Sequence, residues 1–454
     1  MFCLHDFMSL LRQFHRSESG MSLPVIAISF MGLVGSVGLA VDAARLQLVQ
    51  SKLSSALDAA GLAAGSTVST TNLNTEVNKY MGANFVDGYL GAVRKTTTAV
   101  MNANNSEITL SATADVPTTF MNVFGYQKST VRADAKIKRE TKGLELVMVL
   151  DNTGSMSGSK LTNLKSAANN MVSILFSNNI ANAPLWIGLV PFAQAVNIGT
   201  SRAAWTDTAY TASKNWGTTS WMGCVDSRFD AGRDVTDDPP SVELFNAYYW
   251  PGDGNNSWTS TTTGLGTNRG PNKYCSEQVT PMTNVQATIT AGINAMQAVG
   301  NTQINTGAAW GWRMISPRWR GLWGGVMDAN SLPLNYNTKN MNKAVVIMTD
   351  GENTISNGAR GSYWYLSNGK LGTTSSGAAV TQLNNRLSQV CTAMKNNNII
   401  IYTIMFGTTT IANQNLLRNC ATQPDYFFPS PTASDLSAAF SAIGDSLANL
   451  RISQ

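Results

Sequence analysis

Apolar and polar positions alternate along this chain in distinct regimes. Met21 to Val41 (MSLPVIAISFMGLVGSVGLAV) runs for 21 residues without a charge. As a helix it reaches about 31 Å, the thickness of a bilayer core. A cleaved signal peptide is the competing reading, with Arg12 and Arg16 as its basic region and Gly38-Leu39-Ala40 as a cleavage site. The apolar run is longer than a signal core, and a helical pattern continues straight past that site, so an uncleaved anchor is expected.

From Asp42 to Gly65 the pattern becomes amphipathic, with Leu46, Val49, Leu53, Leu57 and Leu62 at spacings of three to five. The helix is therefore expected to continue outward as a stalk. Thr96–Met101, Glu107–Val116 and Thr130–Lys138 then alternate with period two between Asn, Pro and Gly turns, the mark of a small β-meander packed on the stalk.

Further on, strand-like and helix-like runs take turns. Leu144–Leu150 (LELVMVL) is too short for a helix and reads as a buried strand. Leu161, Leu164, Ala168, Met171, Ile174 and Leu175 then mark a helix. Trp186–Val196, Lys343–Thr349 and Ile399–Met405 read as further strands, and Thr306–Ile315 and Val380–Met394 as helices. Leu436, Phe440, Ile443, Leu447 and Leu450 define a closing helix with Ser434 as its N-cap. Alternating strands and helices imply a doubly wound α/β sheet, whose ligands bind beyond the carboxyl ends of its strands.

Two stretches interrupt this order. Residues from Arg202 to about Thr280 are rich in Trp, Tyr, Gly, Asn and Pro, and look like a loop-rich insertion. A second interruption, Ser316–Asn340, contributes Trp319 and Trp323. These aromatics either form a rim for a partner or fill a small core of the insertion.

Composition narrows the chemistry. Hydrophobic residues make up 43% and charged residues 13% of the 454, which allows a large core under a surface of neutral polar side chains. The net charge of +5 comes without a Lys/Arg block, so nucleic acid is not an expected partner. The two histidines, His5 and His15, precede the apolar segment and leave none beyond it for a general base, a zinc ligand or a triad. Cys3 also precedes that segment, whereas Cys224, Cys275, Cys391 and Cys420 follow it. An even number suits disulfides in an oxidising compartment, and pairing neighbours gives Cys224–Cys275 and Cys391–Cys420; buried free thiols are the alternative. Arg12 and Arg16 before the span balance Arg45 and Lys52 after it. The cysteine distribution therefore decides for a cytoplasmic N-terminus.

The residues after the first predicted strand carry the chemistry. Gly154-Ser155-Met156-Ser157-Gly158 sits where an α/β-hydrolase places its nucleophile elbow, but that motif needs a later histidine. The other reading is D-x-[ST]-x-S. Alternate residues of an extended loop share a side, so Asp151, Thr153 and Ser155 aim three oxygens at one point. Such hard oxygens suit Mg²⁺, Mn²⁺ or Ca²⁺ rather than a soft metal. A helix-capping Asx turn is the bland alternative. The Asp234–Asp238 cluster and Asp425 lack the spacing of a Ca²⁺ loop.

The order DxTGS at Asp151, Gly300-Asn301-Thr302, and Thr349-Asp350-Gly351 resembles the von Willebrand factor type A (vWA) family. That resemblance implies a metal-ion-dependent adhesion site formed by Asp151, Thr153, Ser155, Thr302 and Asp350, with Thr306 as an alternative to Thr302. It implies a divalent cation, Mg²⁺ first and Mn²⁺ or Ca²⁺ as alternatives, that binds a partner's carboxylate. It also implies a moving C-terminal helix as a reporter of binding in some relatives.

The layout as a whole is similar to TadG-like Tad/Flp pilus assembly proteins. The resemblance rests on Arg16-Ser17-Glu18-Ser19-Gly20, Val41-Asp42-Ala43-Ala44-Arg45, Leu57-Asp58-Ala59-Ala60, and the segments around Asp151 and Cys391 to Cys420. The long helix resembles a pilin stalk, although Val25 stands where cleaved pilins carry Glu. The expected organisation is a cytoplasmic segment 1–20, a transmembrane helix 21–41, a stalk 42–65, a small β region 66–141 and a Rossmann-like vWA domain 142–454 with the insertion at about 202–280. The expected role is that of a non-enzymatic, single-pass protein of the bacterial inner membrane with its bulk in the periplasm. It would bind a pilus-assembly or envelope protein offering a carboxylate; a surface-exposed vWA adhesin is the alternative.

Overall fold

The computed structural model describes residues 22–65, 73–102, 106–138, 140–178, 183–252, 256 and 269–453. The expected cytoplasmic segment, the first residue of the span, residues 66–72 and most of 253–268 lie outside the described residues. The chain divides into two compact units, one up to Arg139 and one from Glu140 to Ser453.

The first unit is built on one unbroken helix, α1 (Ser22–Gly65), of 44 residues and about 66 Å. Its first half exposes its large apolar side chains, Leu23 and Ile28 by 69% and 70%. It is long and apolar enough to cross a membrane. Its second half buries Val49, Leu53, Leu57, Ala60 and Ala64. Leu62, expected in that stripe, is exposed: the steps of four and three that run through Val49, Leu53 and Leu57 continue to Ala60 and Ala64, and Leu62 falls on the opposite side.

The covering layer is an antiparallel meander of β1 (Val93–Met101), β2 (Glu107–Pro117) and β3 (Lys128–Lys138), in the order β1-β2-β3. Ile108, Leu110, Ala112, Ala114 and Val116 of β2 all point inward, as strand periodicity requires. Gly61 allows helix and sheet to approach, since a Cβ there would lie 2.6 Å from Leu110 Cδ1. A helix absent from the sequence reading, α2 (Leu73–Asn84), adds Leu73, Val77 and Met81 to this core.

The second unit is a six-stranded sheet with helices on both faces. Its strands are β4 (Gly143–Asp151), β5 (Leu185–Phe192), β6 (Thr280–Thr283), β7 (Met341–Thr349), β8 (Ile400–Phe406) and β9 (Phe427–Ser430). They lie in the order β9-β8-β7-β4-β5-β6, all parallel except the edge pair β5–β6. One face carries α3 (Ser159–Ser177), α4 (Gln286–Ala295) and α8 (Ala433–Leu450); the other carries α5 (Ile304–Ile315), α6 (Ser376–Asn396) and α7 (Ile411–Cys420). Strand β4 is buried along its whole length, which explains its nearly uninterrupted apolar sequence.

Three sequence expectations are corrected or decided here. The closing helix α8 is capped by Thr432, whose hydroxyl accepts from the Asp435 amide while the Asp435 carboxylate accepts from Thr432. Ser434 is inside the helix, because the reciprocal pair Thr432/Asp435 satisfies its start two residues earlier. Trp319 and Trp323 are 0% and 3% exposed and pack edge-on to Trp205 at 5.1 Å, so they fill a core rather than form a rim. Cys224–Cys275 and Cys391–Cys420 are both disulfide-bonded.

Candidate metal centre

The strand order of the second unit reverses between β4 and β7, whose outward connections run to opposite sides of the sheet. Such a switch point leaves a crevice beyond the strands' carboxyl ends, where open α/β sheets bind ligands. Asp151 is the last residue of β4, and Asp350 follows the last residue of β7. Topology alone therefore places both carboxylates at one crevice.

Hydrogen bonds then stitch three loops together there. Ser155 Oγ donates to Asp350 Oδ1 at 2.6 Å, and Thr153 Oγ1 lies 2.9 Å from Ser155 Oγ. The Gly154 amide donates to Gly300 O at 2.9 Å, joining the first loop to the second. A Cβ on Gly154 would come within 3.1 Å of that carbonyl, which favours glycine at the contact. The second loop is joined to the third through the Thr354 amide, which donates to Thr302 O at 2.8 Å. The Thr302 amide donates in return to Thr354 Oγ1 at 3.1 Å. Thr302 Oγ1 lies 4.0 Å from the point a Cβ on Gly351 would occupy.

The structure thus draws Asp151, Thr153, Ser155 and Asp350 into one group, with Thr302 on the adjoining loop. Thr306 is elsewhere: its hydroxyl lies 3.2 Å from Ser362 Oγ in a buried cluster. Ser155 comes to the group on a short 3-10 turn, Gly154–Met156, rather than on the extended loop expected from its spacing. Thr153, the residue before that turn, is extended, so only half of the alternation survives.

The two carboxylates differ in their surroundings. Asp151 is fully buried; its Oδ1 accepts from the Thr153 amide at 2.8 Å and its Oδ2 from the Thr349 hydroxyl at 2.6 Å. Burial, reinforced by the negative charge of Asp350, pushes its pKa up to about 6. Asp350 instead pairs with the Lys160 ammonium, 2.6 Å from Oδ2. Lys160 and Thr349 were not picked out as site residues. Lys160 did carry a signal, since a cation in the first turn of a helix opposes the helix dipole and needs another partner. Asn152 is a further addition: its Nδ2 donates to Glu277 Oε2 at 3.1 Å and to Gln297 O at 3.0 Å, fixing the base of the loop. Asn353 accepts from the Ile304 amide at 2.7 Å and so caps α5 beside the second loop.

Among the described residues no group of three His, Cys, Asp or Glu side chains converges. Any cation here would therefore rely on hydroxyls beside two carboxylates. That donor set is hard oxygen throughout, and a desolvated Asp151 facing a second carboxylate is negative charge in want of a counter-ion, so the residues fit a divalent cation. The acids of the 234–238 cluster are already committed. Asp234 pairs with Arg386 and Tyr363, and Asp237 and Asp238 pair with Arg318.

Fold and loops together define the second unit as a vWA-type α/β domain. In the first unit, residues 20–67 match the family described as "Putative Flp pilus-assembly TadE/G-like", so this short part of the chain is similar to TadE/G-like proteins. No curated protein matches. Among solved structures, the vWF domain of the type V pili tip protein Mfa5 from Porphyromonas gingivalis is 13% identical at a TM-score of 0.35, over 69% of this chain and 97% of that one. The pilus adhesin SpaC from Lactobacillus rhamnosus GG is 11% identical at 0.38, over 78% of this chain. Proximal thread matrix protein 1 of the mussel byssus, with a zinc-occupied MIDAS motif, is 12% identical at 0.32, over 68% of this chain. The chain spans 34% of the SpaC structure's length and 46% of the byssus protein's.

Proposed function

We propose that this chain is a non-enzymatic, membrane-anchored component of Tad/Flp pilus assembly. Its vWA domain, on the periplasmic side, captures a protein partner through a divalent cation. The observation that carries the reading is the pairing of a buried Asp151 with Asp350 at the sheet's switch point, ringed by Thr153, Ser155 and Thr302. Two carboxylates neutralise a divalent cation, and the hydroxyls complete part of its coordination. A bound cation is a Lewis acid, and an incoming Asp or Glu from a pilus or envelope protein would fill the remaining position.

The two disulfides agree with an oxidising compartment, and the exposed apolar half of α1 agrees with a span. The test is the double variant Asp151→Ala/Asp350→Ala in the full chain. Unchanged protein level with lost piliation and lost partner recovery is the expected result; normal piliation rejects the metal-dependent role. Shearing separates the alternative, because an adhesin leaves with the pili whereas an assembly factor stays in the membrane fraction.

A further inference from the structure

The β2–β3 connection of the first unit is apolar where a water-facing loop would be polar. Residues 120–126 (FMNVFGY) carry no charge and one side-chain amide, Asn122. Val123, Phe124 and Tyr126 are exposed by 82%, 67% and 64%. Residues 121–124 form a 3-10 turn closed by Gly125 at φ 89°, a left-handed position that suits glycine.

This turn hangs beside the apolar half of α1. A Cβ on Gly38 would run into the Phe120 ring, so the two surfaces are in close contact there. Further along, Val123 and Phe124 border a groove with Phe30, Met31 and Val34. At 1.5 Å per residue, Gly38 and Phe30 lie about 6 and 18 Å along the axis from Asp42 toward the helix start. Asp42 holds the turn in that position. Its Oδ1 accepts from the Thr119 amide at 2.9 Å, and its Oδ2 accepts from the Phe120 and Met121 amides, both at 2.8 Å. Arg45 adds a second tie, donating to Thr119 Oγ1 at 3.3 Å and to Leu90 O at 2.8 Å.

Most amides of the connection are also hydrogen-bonded, as an apolar medium demands. Thr118 donates to Gln127 O, Val123 to Phe120 O, Gly125 to Asn122 O and Tyr126 to Met121 O, all at 3.0 to 3.1 Å. The amides of Thr119, Phe120 and Met121, leading into the turn, are those taken by Asp42.

We infer that residues 120–126 form a wedge that enters the lipid acyl chains next to the span, giving the first unit a second membrane contact besides α1. The inference rests on the membrane-anchor reading of α1, with whose exposed apolar side chains the wedge surface is continuous. The wedge fixes the first unit against rotation about the helix axis. It also explains why a carboxylate is retained at the edge of an apolar helix: Asp42 satisfies three amides that would otherwise point into lipid.

The experiment uses the full chain in a Cys3→Ser background, reconstituted in phosphatidylcholine/phosphatidylglycerol vesicles with brominated acyl chains. Bimane is attached at Val123→Cys, with Val34→Cys as the span control and the exposed β1 position Val100→Cys as the water control. The expected result is a loss of emission at 123 comparable to that at 34, with none at 100. Quenching at 34 but not at 123, with 123 open to an aqueous thiol reagent, overturns the wedge and leaves the anchor standing. Position 123 unquenched yet shielded from that reagent means a protein covers it, and also overturns the inference. Quenching at neither site overturns the anchor and the wedge together.

Discussion

Asp350 divides its two oxygens between Ser155 and Lys160, so the ammonium stands where extra positive charge is wanted. A cation bound by Asp350 must share or displace this partner. Lys160 is 42% exposed, so its ion pair is worth only on the order of 1 kcal/mol. Lys160→Met is therefore expected to tighten Mn²⁺ binding about fivefold to tenfold, read by calorimetry on the purified chain. Asp151 makes the opposite kind of contribution. Its pKa is raised from 3.8 to about 6, so its charged form is disfavoured by folding. The penalty is absent below about pH 4, grows as pH rises through 6, and is fully present above that. Without cation, Asp151→Asn should stabilise the domain at pH 7.5 by about 1–3 kcal/mol and leave it unchanged near pH 3.5, as melting curves at the two pH values would show. The same variant should lose cation binding.

At the scale of elements, the apolar pattern was a reliable guide wherever one face of an element meets one core. Strand β4, helix α6 and the three strands of the meander lie within a few residues of their expected limits. Ends depended on finer chemistry. The closing helix was expected to begin at Ser434, and the reciprocal bonds of Thr432 and Asp435 start it two residues earlier. Thr432→Ala is expected to cost about 1 kcal/mol, and Ser434→Ala nearly nothing, in denaturant titrations of the two variants. Helix α2 was not legible because its twelve residues are largely polar, and only Leu73, Val77 and Met81 are buried. The stripe on α1 was legible up to Leu57 and then misplaced at Leu62, because small alanines, not leucines, face the sheet where it comes closest.

For the molecule as a whole, the two disulfides bear on the vWA unit alone. The Cys391–Cys420 loop of 29 residues should contribute roughly 3–4 kcal/mol in the chain-entropy picture. Non-reducing peptide mapping of membrane-derived protein is expected to recover both pairs and leave Cys3 as the free thiol. Reduction should lower the melting temperature of the vWA unit; an unchanged transition would show that the bonds are absent or energetically idle.

The sequence by itself determined the apolar helix, the alternation of strands and helices, and the spacing that names Asp151, Thr153 and Ser155. These are local properties, set by periodicity and by the residue types at strand ends. It also excluded histidine chemistry beyond the apolar segment, because composition needs no fold to be read. Only the tertiary structure puts Thr302 on the loop joined to Thr354 and Thr306 beside Ser362. It alone brought Lys160 to Asp350, and it sent Trp319 and Trp323 inward. Each of those outcomes depends on which distant segments the sheet order brings together. Asp42 marks the boundary between the two: its place beside the apolar helix is plain in the sequence, but the three amides that make it useful are nearly eighty residues away.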